Sequence, residues 1–459
     1  MQISFHGAAR GVTGSCHLLA CNGRLLLVDC GLFQGSRELV EDNAADFGFD
    51  PAHIDYVVLT HAHLDHCGRL PLLVKRGFRG EIIATAATRD LAQVVLSDSA
   101  RLQEEEAERP YMRPHGHRHT LAPLYTQEDS QRSLALFGRV LRYGEALDLC
   151  PGITVTPYDA GHILGSASLR FTLREGGRTT TIVLSGDIGN GGRPLLNGPI
   201  PPPAADVVVM ETTYGDRLHR PLPATLDELY GAINDTWRRG GNVVIPTFAL
   251  ERAQEILYYL RTGVEQGRLP ATLTVFLDSP MAILATEAFR AHPEAVSAPI
   301  AAMLESGADP FAVSGLHLAR DGAQSRAINT ISGGAVIMAG SGMCTGGRVM
   351  HHLQHNLARE ACSVIFVGYA AVGTPARRII DGAPSIRLFG EEIAVRARRY
   401  TINGFSAHAD RDELLAWHRA VAAQRTFLVH GDPDVMQQFA AALAGSKVDM
   451  PRLGESFEL

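Results

Sequence analysis

Residues 60–66 read THAHLDH and follow directly on the apolar run Tyr56-Val57-Val58-Leu59. A short apolar run of this kind reads as a buried strand. Three histidines and an aspartate at its end read as ligands for metal. His61 and His63 sit two residues apart, so a loop can turn both toward one ion, while Asp65 and His66 can face a second. Imidazole and carboxylate are the donors that zinc and similar ions take, and catalytic sites leave one position open for water. A polar loop that happens to be rich in histidine would carry the same letters. The distant partners therefore decide the reading.

Three later segments share one form, an apolar strand ending in a metal-type ligand amid small residues. They are TVTPYDAGHILGSAS with His162, TIVLSGDIGN with Asp187, and RTFLVHGD with His430. A strand tip is a rigid platform, which a site of fixed geometry needs. Asp187 has two oxygens and can bridge two ions. Asp29, at the end of LLLVD, has a similar setting and can orient ligands from behind, a role typically worth about 10–100-fold in affinity or activity. A capping or turn aspartate would look the same.

The rest of the chain sets bounds. At 459 residues it exceeds what one core usually organises, so two domains or one domain with a large insertion are expected. With 46% apolar and 20% charged residues it has the make-up of a soluble globular protein rather than a disordered one. No apolar stretch reaches the roughly 18 residues that cross a bilayer, and MQISFHGAARG lacks the blocks of a signal peptide. A cytoplasmic protein with no membrane partner is expected. The 7 cysteines are odd in number, scattered and without a CxxC pair, as suits reduced thiols. A net charge of −7 counts against a nucleic-acid partner, unless bound metals and a local basic cleft offset it.

The first third reads as strands and hairpins: Gln2 to His6, then His17 to Ala20 with Arg24 to Asp29 turning at Asn22-Gly23. Helices are expected over Gly68 to Arg76, Ala86 to about Glu106 and about Gln127 to Arg139, with a strand at Glu81 to Ala84. A second β block covers Ile153 to Tyr158, Ala167 to Leu173 and Thr179 to Ser185. From about Tyr214 strands alternate with helices, the pattern of a mostly parallel sheet. The organisation expected is a host domain at both ends, 1–213 and 393–459, around an α/β insert, 214–392.

Asp29, His61-x-His63-x-Asp65-His66, His162 and Asp187 resemble the four successive motifs of the metallo-β-lactamase fold superfamily. The later segments resemble those of the β-CASP nucleases, a group that includes the cleavage subunit of polyadenylation machinery and its bacterial and archaeal relatives. These segments are ETTYGD with Glu211, GFSAHAD with His408, and the final His430. The resemblance covers nearly the whole chain. It implies an αββα metallo-β-lactamase sandwich with an inserted Rossmann-like β-CASP domain. It also implies two divalent ions, taken as Zn2+: one on His61, His63, His162 and Asp187, the other on Asp65, His66, Asp187 and His430. Glu211 and His408 would pair near the scissile bond, with His408 protonating the leaving group.

The substrate implied is single-stranded RNA, because the RNA-processing branch resembles this chain in having histidine at the position of His430. Endonuclease and 5′-3′ exonuclease action both stay open, as does a homodimer. In the insert, SGMCTGGR (Ser341 to Arg348) is a glycine-rich turn before a helix, a setting that favours phosphate. Ser341, Gly342, Arg348, Arg252 and Ser406 are expected substrate contacts, though a plain turn and solvated arginines fit as well. In GYAAVGTPARR, Ala370 and Ala376 stand where the family usually has glutamine and glycine. Three further features read as structural: the His115, His117 and His119 run as a solvated loop, Cys67 as a small buried residue, and His351, His352 and His355 as an exposed helix face. Two other functions stay open, a small-molecule metallo-hydrolase for an ester, thioester or lactam, and a non-catalytic RNA-binding scaffold.

Overall fold

The computed structural model describes residues 1–35, 42–108, 122–368, 370–443 and 445–459, so the His115–His119 run lies outside the described residues. The chain packs as two compact units, Met1–Leu218 with His408–Leu459, and His219–Ala407.

The first unit holds two seven-stranded sheets. One runs Ser456–Glu458, Gln2–Phe5, His17–Cys21, Arg24–Val28, Tyr56–Val58, Glu81–Thr85, Phe137–Leu141. The other runs Lys447–Asp449, Arg425–Val429, Val207–Glu211, Arg178–Leu184, Ala167–Glu175, Ile153–Asp159, Leu147–Cys150. Their facing side chains form one core, with Phe5, Val28, Val58 and Ile83 from the first sheet against Leu169, Phe171, Leu184, Val209 and Phe427 from the second. The far face of the second sheet is covered by helices Arg411–Val421 and Pro433–Ala442, through Leu414, Trp417, Met436 and Phe439. Helices Leu70–Lys75, Ala86–Glu108 and Gln127–Leu134 belong to the first sheet's side. This is the expected αββα sandwich. Val207–Glu211 is buried at every position, as a strand covered on both faces must be.

The second unit carries a six-stranded sheet in the order Leu316–Leu318, Thr274–Asp278, Ala335–Ala339, Val243–Pro246, Ser363–Phe366, Arg398–Thr401. All its pairings are parallel, which gives the expected Rossmann-like α/β texture. Strand Arg398–Thr401 pairs with Ser363–Phe366, so this unit runs past the expected boundary at 392/393 to Ala407. Two local expectations also change. The helix expected over Gln127 to Arg139 stops at Leu134, because Phe137–Leu141 pairs in parallel with Glu81–Thr85 and Arg139 hydrogen-bonds Glu81. His352 is not on an exposed face; it is fully buried against Asp278. No helix among the described residues is long and apolar enough to cross a membrane.

Candidate metal centre

Apart from Asp65 and His66, the ligand-type residues carried over from the family motifs lie at or just beyond strand ends of the first unit. His61 and His63 follow Tyr56–Val58, and Asp65 and His66 fall in the one-turn helix Leu64–Cys67. His162 follows Ile153–Asp159, Asp187 follows Arg178–Leu184, Glu211 ends Val207–Glu211, and His430 follows Arg425–Val429. The loops between them pack closely; a Cβ on Gly31 would lie 1.6 Å from the Asp65 carbonyl oxygen. Asp29 (φ 63°) and His430 (φ 48°) sit in the left-handed region. Non-glycine residues there store roughly 1–3 kcal/mol of strain and cluster at functional sites.

Two ligand groups form. In the first, His63 Nδ1 stands 3.1 Å from His61 Nε2 and 3.2 Å from His162 Nε2, while Asp187 Oδ2 is 3.5 Å from each of those two Nε2 atoms. A tetrahedron with metal–nitrogen bonds of about 2.0–2.1 Å has edges of about 3.3–3.4 Å, so these spacings are those of four ligands about one ion. In the second, His66 Nε2 lies 3.3 Å from Asp187 Oδ1, and His430 Nε2 lies 3.5 Å from Asp65 Oδ2. His66 Nε2, His430 Nε2 and Asp187 Oδ1 are buried without a hydrogen-bond partner. Burying such groups is costly unless something satisfies them, and a cation does. The donor set therefore fits bound divalent metal.

Hydrogen bonds behind the rings decide which nitrogen faces inward. Asp29 Oδ2 accepts from His66 Nδ1 at 2.7 Å and from the Thr60 hydroxyl at 2.8 Å. Having spent its proton on Asp29, the Thr60 oxygen accepts from His61 Nδ1 at 3.0 Å, which leaves the Nε2 lone pair free for a metal. Thr213 does the same for His430: its hydroxyl donates to the His430 carbonyl and its oxygen accepts from Nδ1 at 3.1 Å. Neither threonine was singled out in the sequence. Only Thr60, directly before the His-x-His pair, carried a signal that could have found it.

In the metal-free protein the electrostatics separate the rings, and a metal at His66 would have to displace a proton. Burial pushes His63 down to about 4 and His61 well below the usual imidazole value, so both present lone pairs at neutral pH. Burial would also lower His66, but the Asp187 and Asp29 carboxylates outweigh it and raise that ring well above its ordinary value. Asp187 is held well below the carboxylate range by the surrounding histidines, despite its burial. A fully buried Glu211 lies beside the pair, accepting from the Ile188 amide at 2.6 Å and from His408 Nδ1 at 3.1 Å. His408 Nε2 faces the other way, 4.0 Å from Asp187 Oδ2. Burial opposes charge on this ring, but Glu211 and Asp187 outweigh it and raise it to about 9.

Comparison with known proteins adds the family. Residues 9–220 match the metallo-β-lactamase superfamily, 253–379 the Beta-Casp domain, and 392–451 the Zn-dependent metallo-hydrolase RNA specificity domain. Ribonuclease TTHA0252 of Thermus thermophilus is 42% identical over 458 residues, covering 99% of both chains. The chain belongs to the β-CASP branch of the metallo-β-lactamase superfamily. Among other β-CASP relatives, transcription termination factor FttA of Methanocaldococcus jannaschii is 31% identical over 96% of this chain and 68% of its own. A crystal structure of a protein of unknown function from Enterococcus faecalis shares the fold, with a TM-score of 0.56 at 13% identity over 100% of this chain and 99% of its own.

The expected substrate contacts of this β-CASP protein are placed less simply. Arg252 is buried and ion-paired with Glu255. Arg348 Nη1 donates to the buried Asp278 Oδ1 at 2.6 Å and to the Ala319 carbonyl at 2.9 Å, so both guanidinium charges have carboxylate partners within the protein. Ser341 Oγ accepts from the Thr345 amide at 3.2 Å, inside its own turn. Gly342 lines a depression of the second unit, and Ser406 is half-buried in the loop before His408. Cys67 is buried with its thiol directed at the Ala62 carbonyl, in keeping with a packing role. Ala370 and Ala376 are part of the second unit's apolar core.

Proposed function

We propose that the chain is a two-zinc ribonuclease that hydrolyses phosphodiester bonds of single-stranded RNA. One observation carries the reading: His61, His63, His162 and Asp187 form one ligand group, Asp65, His66 and His430 form another whose His66 lies 3.3 Å from Asp187, and the His408–Glu211 pair stands against that same carboxylate. Two bound divalent ions lower the pKa of water from about 15.7 to about 7 and neutralise charge on the attacking and leaving oxygens. The nitrogen and oxygen donors suit zinc. His61, His63, His162 and Asp187 would hold one ion, and Asp65, His66, Asp187 and His430 the other. Asp29 and Thr60 fix the rings, as the hydrogen bonds behind them indicate.

His408 supplies the acid. Glu211 keeps the proton on Nδ1, so the protonated ring gives its Nε2 proton to the departing alkoxide as the phosphorus–oxygen bond breaks. RNA as substrate is supported by relatives named a ribonuclease and a transcription termination factor, and by the RNA specificity domain matched over 392–451. These similarities also weigh against a lactam or ester hydrolase. A pure RNA scaffold has no use for buried, unsatisfied ligand atoms.

The test compares 5′-phosphorylated RNA with DNA of the same sequence, with product sizes separating endonuclease from 5′-3′ exonuclease action. Purified protein should carry about two zinc equivalents and cut the RNA. His63→Ala should lose metal and cleavage. His408→Ala should keep its metal, cut RNA about 10²–10⁴-fold more slowly, and lose much less on a diester whose p-nitrophenolate leaving group needs no proton. Undiminished RNA cleavage by His63→Ala, or lactam turnover without RNA cleavage, would sink the reading.

A further inference from the structure

The second unit holds a feature that the hydrolytic centre does not use. In its parallel sheet, Val243–Pro246 and Ser363–Phe366 are neighbours, but the chain leaves the first toward Thr274–Asp278 on one side and the second toward Arg398–Thr401 on the other. Diverging connections open a crevice at the carboxyl ends of such strands, the usual place for a ligand in an α/β sheet. A shallow, open depression lies there, and its lining includes Phe248, Arg252, Gly342, Phe366 and Gly368.

Its chemistry is specific. Phe248 is 45% exposed, although phenylalanine is normally buried. A Cβ on Gly342 would stand 3.0 Å from the Phe248 ring, closer than ordinary contact, and one on Gly368 would meet it at 3.7 Å, so larger side chains at these glycines would cover part of the ring. Arg252 is charge-compensated by Glu255 and stands 5.6 Å from the Phe405 ring centre. The slot is thus aromatic and electrically balanced, which favours a flat neutral group over a phosphate. We propose that it is a subsite for one nucleobase of the RNA substrate, stacked on Phe248. The inference rests on the ribonuclease reading. Stacking on an aromatic face is worth enough per base to matter and tolerates any sequence, because every base has a π-face.

The experiment measures binding of 2′-O-methyl RNA oligonucleotides, which resist cleavage, to the full metal-loaded chain. A series carries one abasic residue at successive positions. Phe248→Ala should weaken binding of the parent oligonucleotide about 5- to 150-fold, while Phe248→Trp keeps it. One abasic position should weaken binding to the natural chain by a similar factor, and that same oligonucleotide should bind Phe248→Ala no more weakly than the parent does. Equal binding by Phe248→Ala and the natural chain would overturn the subsite while leaving the ribonuclease reading intact. So would a loss on Phe248→Ala that no abasic position reproduces, since the occupant would then not be a base. A natural chain that neither binds nor cuts RNA would overturn both.

Discussion

Thr60 has one hydroxyl proton, and where that proton goes decides what His61 can do. It points to Asp29 Oδ2, so the oxygen must accept from His61 Nδ1 and the ring's other nitrogen is left as a ligand. Thr60→Val keeps the shape and removes this relay. The expected result is a folded protein whose metal affinity falls about 10–100-fold, read by competition with a chromogenic chelator, with Thr60→Ser restoring it. Natural affinity in Thr60→Val would show that ring orientation is set by packing alone. At this scale the ligands were legible and the threonines were not. Histidine and aspartate at strand tips have few uses, whereas threonine is common at strand ends, and its role depends on a partner 31 residues earlier.

Elements were legible where pattern alone decides them. Strand Ala335–Ala339 is buried at every position and falls where its apolar run predicts. Reading failed where tertiary pairing overrides local preference, as in Phe137–Leu141, drawn out of an expected helix by the Glu81–Thr85 edge. It failed too in helix Val349–Asn356, where the histidines look interchangeable in the sequence. Yet His352 is fully buried, its Nε2 2.6 Å from Asp278 Oδ2 and its Nδ1 2.8 Å from Asn329 Oδ1. Asp278 closes the strand Thr274–Asp278 and binds Arg348 and Ser325 as well, tying one strand end to two helices and a turn. Asp278→Ala strands these donors in the interior and should cost about 3–5 kcal/mol, measured as a lower urea midpoint. The sign with pH follows from its titration. Burial would raise the Asp278 carboxyl, but hydrogen bonds from His352, Ser325 and Arg348 outweigh it and hold it below its ordinary value of 3.8. A depressed folded value gives stability that is complete above the unfolded value and is lost as pH falls through the folded one. The gap between natural and variant protein should thus be full at neutral pH and narrow only in strong acid. A gap that does not change with pH would assign the loss to packing instead.

At the scale of the whole molecule, the chain has separate cores and an uneven distribution of buried polar atoms. The ligand groups among the described residues all lie in the first unit, and three of their atoms are buried without a hydrogen-bond partner. Each such atom costs roughly 1–3 kcal/mol when left unsatisfied. Metal that binds only the folded chain adds about 4.1 kcal/mol of stability when present at a thousand times its dissociation constant. Stripping the metal should therefore loosen the strand tips that carry the ligands and spare the parallel sheet of the second unit, which carries none among the described residues. Hydrogen exchange after dialysis against a chelator reads this by segment. Faster exchange is expected in peptides over Tyr56–Val58, Arg178–Leu184 and Arg425–Val429, with little change over Val243–Pro246, Ala335–Ala339 and Ser363–Phe366. Returning a divalent ion should restore protection to the first set. Equal loss in both sets would mean that the two cores open as one cooperative block, and that the bound ions stabilise the molecule as a whole rather than the sandwich that holds them.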